Sequence, residues 1–160
     1  MAISTASSTD RETLLFGFFQ THVGLRHALD VALMSAHGIS MATYEVLNRL
    51  AGAERGGLTL TQLTELAPLS LSRISRLTAD LERDGVIERR ACTSDKRVSY
   101  VALTTEGVRL VRQSQATFFA VVDERFLGQL TPQEAAVLEG VFARLGGGGG
   151  GCANALAARR

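Results

Sequence analysis

Five residues on one short stretch have the chemistry to grip a polyanion. Ser70, Ser72, Arg73, Ser75 and Arg76 fall within seven positions, between Leu69 and Leu77. Hydroxyls donate to phosphate oxygens, and a guanidinium pairs bidentately with guanine O6 and N7. Ile74, Leu77 and Leu81 recur at helical spacing, so the serines and arginines lie largely on the opposite face. Ser70 has the side chain to cap that helix, and a helix N-terminus itself favours an anion. A second set of charges follows at Asp95, Lys96 and Arg97, in a polar turn between two strand-like runs, Val86 to Arg90 and Val98 to Leu103. A helix with an outward basic face, followed by a hairpin with cations at its tip, is a winged helix-turn-helix. That shape lays a helix in the major groove of DNA and a loop in the minor groove.

The elements that must hold these residues are also marked in the chain. Residues 1–10 are small and polar and read as a flexible N-terminus. Residues 11–36 carry Leu14, Leu15, Phe18, Phe19, Leu25, Leu29 and Leu33 at helical spacing, broadened by Phe16, Val23 and Val31, and Gly38 ends the run. A helix apolar around most of its girth needs more partner surface than one small core supplies, which points to an interface. Ser40 caps a second helix, Met41 to Ala51. Thr59 and Gln62 form a capping box for a short third helix ending near Ala67 and Pro68. Asp84 and Gly85 stop the basic helix. Thr104 caps a long helix from about Thr105 to Leu127, and Thr131, Pro132 and Glu134 start the last one, which runs to Leu145. Gly146 to Gly151 open a flexible tail, 146–160. The expected fold is mostly α with a small β wing: a winged helix-turn-helix lobe at about 40–104, flanked by dimerisation helices at about 11–36 and 105–145.

Composition narrows the alternatives. The chain has 160 residues with 46% hydrophobic content, enough for one domain with its own core. No apolar run reaches the 18 or so residues of a membrane span, and the first ten residues lack the pattern of a signal peptide; a cytoplasmic location is the expectation. Net charge is only +1, so bulk basicity does not argue for nucleic acid. The local distribution does: from Leu69 to Arg97 there are seven cations and five acids. There is one lysine, Lys96, and a GC-rich genome accounts for the arginine bias more readily than a need for bidentate recognition. Enzyme readings lack parts: there is no Gly-rich phosphate loop, no G-x-S-x-G and no H-E-x-x-H, and neither a metal nor any other cofactor is expected. His27 and His37 have no Cys or carboxylate at metal spacing.

Asp95, Arg97, Val101, Leu103, Thr104 and Gly107 match the D-x-R-x-x-x-V-x-L-T-x-x-G signature of the MarR (multiple antibiotic resistance regulator) family, and Ile74 to Ile87 resembles that family's recognition helix and its exit. The order of elements agrees over roughly residues 11–145. The resemblance implies a homodimeric regulator of transcription whose terminal helices intertwine. It would place two lobes on a pseudo-palindromic double-stranded operator, commonly as a repressor released by a small ligand. It makes Arg97 the minor-groove arginine. Asp95 then aims that guanidinium rather than touching DNA, since a carboxylate repels phosphate, and Lys96 is a phosphate contact without sequence information.

The crevice that the resemblance implies between the dimer helices and the lobe falls near His22 and Arg26, four apart on the first helix, and Tyr44 and Arg49 on the second. These would line a site for a small aromatic or anionic effector. The plainer alternative makes His22 a packed interface histidine and Arg26 a salt-bridge donor, with Asp30 as partner. Two other functions remain open at this stage. A protein-binding winged-helix module suits the near-neutral charge. A cysteine-based redox sensor would have to use Cys92, because the start of the first helix has no cysteine and Cys152 lies in the Gly-rich tail.

Overall fold

A computed structural model describes residues 8–53, 57–67, 69–91 and 99–145. In order they form α1 (Ser8–His37), α2 (Met41–Ala51), β1 (Leu58–Thr59), α3 (Leu60–Leu66), α4 (Leu71–Arg83), β2 (Ile87–Ala91), β3 (Ser99–Leu103), α5 (Thr105–Arg125), a 3-10 turn at Leu127–Gln129 and α6 (Pro132–Leu145). The chain is thus mostly helical with one small antiparallel sheet of order β1-β3-β2. α1 begins earlier than Arg11 and ends one residue later than Ala36, while α5 stops at Arg125 and yields to the 3-10 turn.

Local chemistry explains most boundaries. Ser40, Thr59, Ser70 and Thr104 each sit in extended backbone and accept a backbone N–H from the first turn of the helix that follows. At Thr59 the box is complete, because Gln62 Oε1 accepts the Thr59 N–H at 2.9 Å. Thr131 and Glu134 repeat it at α6. α4 ends in a Schellman motif. Val86 N–H donates to the Leu81 carbonyl and Gly85 N–H to that of Glu82, with Gly85 at φ +71°. Val86 and Leu81 are both buried, which supplies the apolar contact that accompanies this motif.

β1 is the element the sequence did not announce. Leu58 pairs with Val101 and Thr59 with Tyr100, on the opposite side of β3 from β2. Gly57 makes the pairing possible: at φ +82°, a Cβ there would lie 2.1 Å from the Val101 carbonyl oxygen.

The core belongs to the lobe. Val46, Leu47 and Leu50 of α2, Leu63 of α3, Ile74 and Leu81 of α4, Ile87 of β2, Val101 of β3, Val111 of α5 and Leu33 of α1 form one buried cluster. Each such side chain contributes about 1.5–3 kcal/mol over leaving it in water. Polar ties fix the long helices to that cluster. Arg26 pairs with Glu45 at 2.8 Å, and Asp30 Oδ1 accepts the Met41 N–H at 2.7 Å. His37 Nε2 and Thr117 Oγ1 are 2.7 Å apart, and Gln115 Nε2 donates to Asn48 Oδ1 at 2.9 Å.

Outside the core the molecule is greasy. Leu14, Leu15, Phe16, Phe18, Phe19 and Val23 on α1 are exposed, as are Val137, Phe142 and Leu145 on α6, which has no buried residue.

Candidate nucleic-acid interface

α4 is sharply two-faced. Ile74, Thr78 and Leu81 are buried against the lobe, whereas Ser70, Ser72, Arg73 and Arg76 are exposed and Ser75 is half-buried. Ser70 caps the helix: its Oγ accepts the Arg73 N–H at 3.4 Å and lies 3.2 Å from Ser72 Oγ. The oxygen is thus engaged in the cap while the side chain stays exposed.

The described charges along α4 and β2 are sorted. Arg83 pairs with Asp80 at 2.9 Å, Arg89 Nε donates to Glu82 at 2.8 Å, and Arg90 pairs with Glu88. Arg73 and Arg76 have no ion pair among the described residues. The carboxylate that would have claimed Arg76, Asp80 four residues on, is turned to Arg83 instead. Acids thus neutralise the C-terminal half of α4 and strand β2, and the N-terminal half keeps its positive charge. A net charge of +1 conceals this segregation.

Two features of the site were not read from the sequence. Leu71, the first residue of α4, is 54% exposed between Ser70 and Ser72, giving the basic face an apolar edge. Arg89 is a brace: besides Glu82, its Nη2 reaches Thr78 Oγ1 at 3.4 Å, tying β2 to the middle of α4. A strand cation facing back onto the helix follows from the alternation of side chains, but its partners required the fold. Arg90 pairs within its own strand.

The wing is anchored by a clamp at its base. Thr104 N–H donates to the Val86 carbonyl at 3.1 Å, and Thr104 Oγ1 lies 2.7 Å from the Gly85 carbonyl and 3.0 Å from that of Val86. The same hydroxyl accepts the Gly107 N–H. Gly107 lets α5 approach, because a Cβ there would sit 2.1 Å from the Val86 oxygen. The exit of α4, the start of β2 and the start of α5 meet at this point. Lys96, Arg97, Asp95 and Cys92 lie outside the described residues, as do Cys152 and the Gly-rich tail. On either side of the first four, β2 ends at Ala91 paired with Ser99 of β3.

A cavity of about 520 Å³ opens behind the basic face. His22, Val23, Arg26, His27 and Asp30 of α1 line it together with Ser40, Ala42 of α2 and Arg73 of α4. The expected ligand set is brought together only in part. His22 and Arg26 are there, but Tyr44 and Arg49 are not among the lining residues. Tyr44 is only 4% exposed and stacks on Phe118 with ring centroids 4.7 Å apart, so it belongs to the core. Arg26 is held by Glu45, not by Asp30, whose carboxylate caps the start of α2. Among the described residues no group of three or more His, Cys, Asp or Glu is placed to hold a metal. No helix among them is long and apolar enough to cross a membrane.

Comparison with known proteins places this architecture. A family model described as the MarR family matches residues 37–98. The HTH-type transcriptional regulator PrsX of Escherichia coli is 27% identical over 112 residues, covering 70% of this chain and 67% of PrsX. Sco3205, a MarR family transcriptional regulator from Streptomyces coelicolor solved in complex with DNA, superposes with a TM-score of 0.81 at 27% identity, covering 89% of each chain. CouR from Rhodococcus jostii RHA1, solved bound to p-coumaroyl-CoA, superposes with a TM-score of 0.68 at 26% identity, over 91% of this chain and 92% of CouR.

Proposed function

We propose that this chain, which is similar over residues 37–98 to the MarR family and over most of its length to the regulator Sco3205, works as a homodimeric transcriptional repressor that reads a pseudo-palindromic operator and is released by a small ligand. The observation that carries the reading is the bare cationic first half of α4, where Arg73 and Arg76 are exposed while the other described cations of α4 and β2 are ion-paired. Arg73 and Arg76 address base edges. Ser70, Ser72 and Ser75 donate to phosphate. In the wing, Lys96 contacts phosphate, and Arg97 enters the minor groove under the aim of Asp95.

The dimer reading rests on the large apolar residues that α1 and α6 leave exposed, which a partner protomer would cover. Two lobes related by a twofold axis then meet half-sites about one helical turn apart. Repression is the simplest outcome, since a dimer seated on a promoter excludes other proteins without a further activating surface. Release would be a shift of population: a ligand in the cavity between α1 and α4 favours a lobe spacing that no longer fits both half-sites. His22 and Arg26 suit an aromatic or anionic ligand, and CouR shows that a protein of this fold takes an acyl-CoA.

Selection of bound duplexes from a random pool tests the reading. An inverted repeat is expected. Enrichment of no sequence would refute it in favour of a protein-binding role for the wing.

A further inference from the structure

We infer that Leu71 is a specificity-determining residue of the DNA interface, which reads the C5-methyl group of a thymine in the major groove. This goes beyond the polar contacts proposed above and rests on the assignment of α4 to DNA.

A single exposed leucine is ordinary on a protein surface, so the argument lies in where this one stands. The other large apolar side chains left exposed among the described residues belong to α1, α5, α6 and the 3-10 turn that follows α5. Among the described residues between 38 and 104, Leu71 is the one large apolar side chain left exposed, at 54%. The buried face of α4 does not include it: Ile74, Thr78 and Leu81 make that face. The lobe thus leaves one leucine uncovered, and it falls on the surface assigned to DNA.

Its place in the helix supplies the target. Leu71 is the first residue of α4, between the cap Ser70 and Ser72. The N-terminal residues of a recognition helix are those that meet base edges. Ser70, Ser72 and Arg73 are exposed beside it, so a groove that receives them receives the leucine as well.

The ligand chemistry follows from the groove. Every base edge there presents polar groups, and thymine alone adds an apolar one, its C5-methyl. A leucine pressed on the amino group of cytosine or adenine strips water from a donor and returns no hydrogen bond. Pressed on a thymine methyl, it takes apolar surface out of water on both sides. Leu71 therefore selects thymine by attraction and rejects the other bases by desolvation.

The probe is 2′-deoxyuridine, which pairs as thymidine does and lacks only the methyl. Each thymine of the operator selected from the random pool is replaced singly. The full chain, as wild type, Leu71→Ala and Leu71→Met, is titrated against these duplexes at one salt concentration. Wild type should lose about fourfold in affinity at one thymine of each half-site, the worth of one buried methyl-sized group. Leu71→Ala should bind the unmodified operator more weakly than wild type and lose nothing further at that uridine. Leu71→Met keeps an apolar side chain of similar volume and should keep the sensitivity. Equal sensitivity of wild type and Leu71→Ala at every uridine would overturn the inference. So would a wild type indifferent to every thymine methyl, or selected half-sites that contain no thymine. Failure to select any operator would instead refute the DNA reading of α4 on which the inference stands.

Discussion

Replacing Gly107 by alanine should destabilise the protein although alanine is the better helix former. The new Cβ would lie 2.1 Å from the Val86 carbonyl oxygen and 3.2 Å from its carbon. Ordinary contact begins about 1 Å farther out, so α5 and the α4–β2 corner must part. Parting them strains or breaks the bonds from Thr104 N and Oγ1 to the Val86 oxygen and the cap from Gly107 N to Thr104 Oγ1. Each hydrogen bond has a net worth of about 0.5–1.5 kcal/mol and the cap about 1 kcal/mol. Overpacking costs a further 1–3 kcal/mol or so, while helix propensity returns about 1 kcal/mol. The expected loss is about 2–4 kcal/mol. Gly85→Ala is the control: at φ +71° with open space around it, it should cost only about 1–2 kcal/mol, the intrinsic penalty of that backbone region. Urea unfolding at one fixed protomer concentration measures both, since dimer stability varies with concentration. Gly107→Ala within about 0.5 kcal/mol of wild type would refute the clamp.

Three further outcomes follow from the same structure. The chain should sediment as a dimer at micromolar concentration, and Phe19→Asp, on the exposed apolar face of α1, should shift it toward monomer; a folded wild-type monomer would contradict the interface. Glu134 accepts the Thr131 N–H and hydroxyl, which holds its carboxyl below the ordinary value of 4.5. Its contribution is therefore present above pH 4.5 and lost as pH falls through the lowered value, so the thermal deficit of Glu134→Ala should be evident at neutral pH and shrink in acid. In the wing, Arg97→Ala and Asp95→Ala should each weaken operator binding, and the double variant should be hardly weaker than Arg97→Ala alone; additive losses in a double-mutant cycle would show that Asp95 does not act through Arg97.

Much of the lobe was legible because its signals are local. Ser70 and Gly85 bracket α4 with a cap and a left-handed turn, and Ile74 and Leu81 recur at helical spacing, so neither its bounds nor its buried face required a partner. α2, Met41–Ala51, was readable for the same reason. β1 was not, since two residues become a strand only by pairing with Val101 and Tyr100 some forty positions away. Tyr44 was misplaced because its helix alone does not say that Phe118 of α5 lies over it. The alternative that made Arg26 a salt-bridge donor offered Asp30 on its own helix as partner, and the fold gives it Glu45 of α2. Periodicity sent Arg73 outward, and only the fold shows that it also lines a pocket with residues of α1 and α2.

The central claim is that α4 reads DNA sequence with the cations its neighbours leave bare. The direct measurement is a titration of the selected operator and its single-base variants, at one salt concentration, against wild type and Arg73→Ala. Wild type should discriminate at one position in each half-site by about 1–3 kcal/mol, and Arg73→Ala should lose that discrimination there while keeping the rank order elsewhere. If Arg73→Ala weakens every duplex equally and preserves all preferences, Arg73 contacts only phosphate and the placement of α4 is wrong.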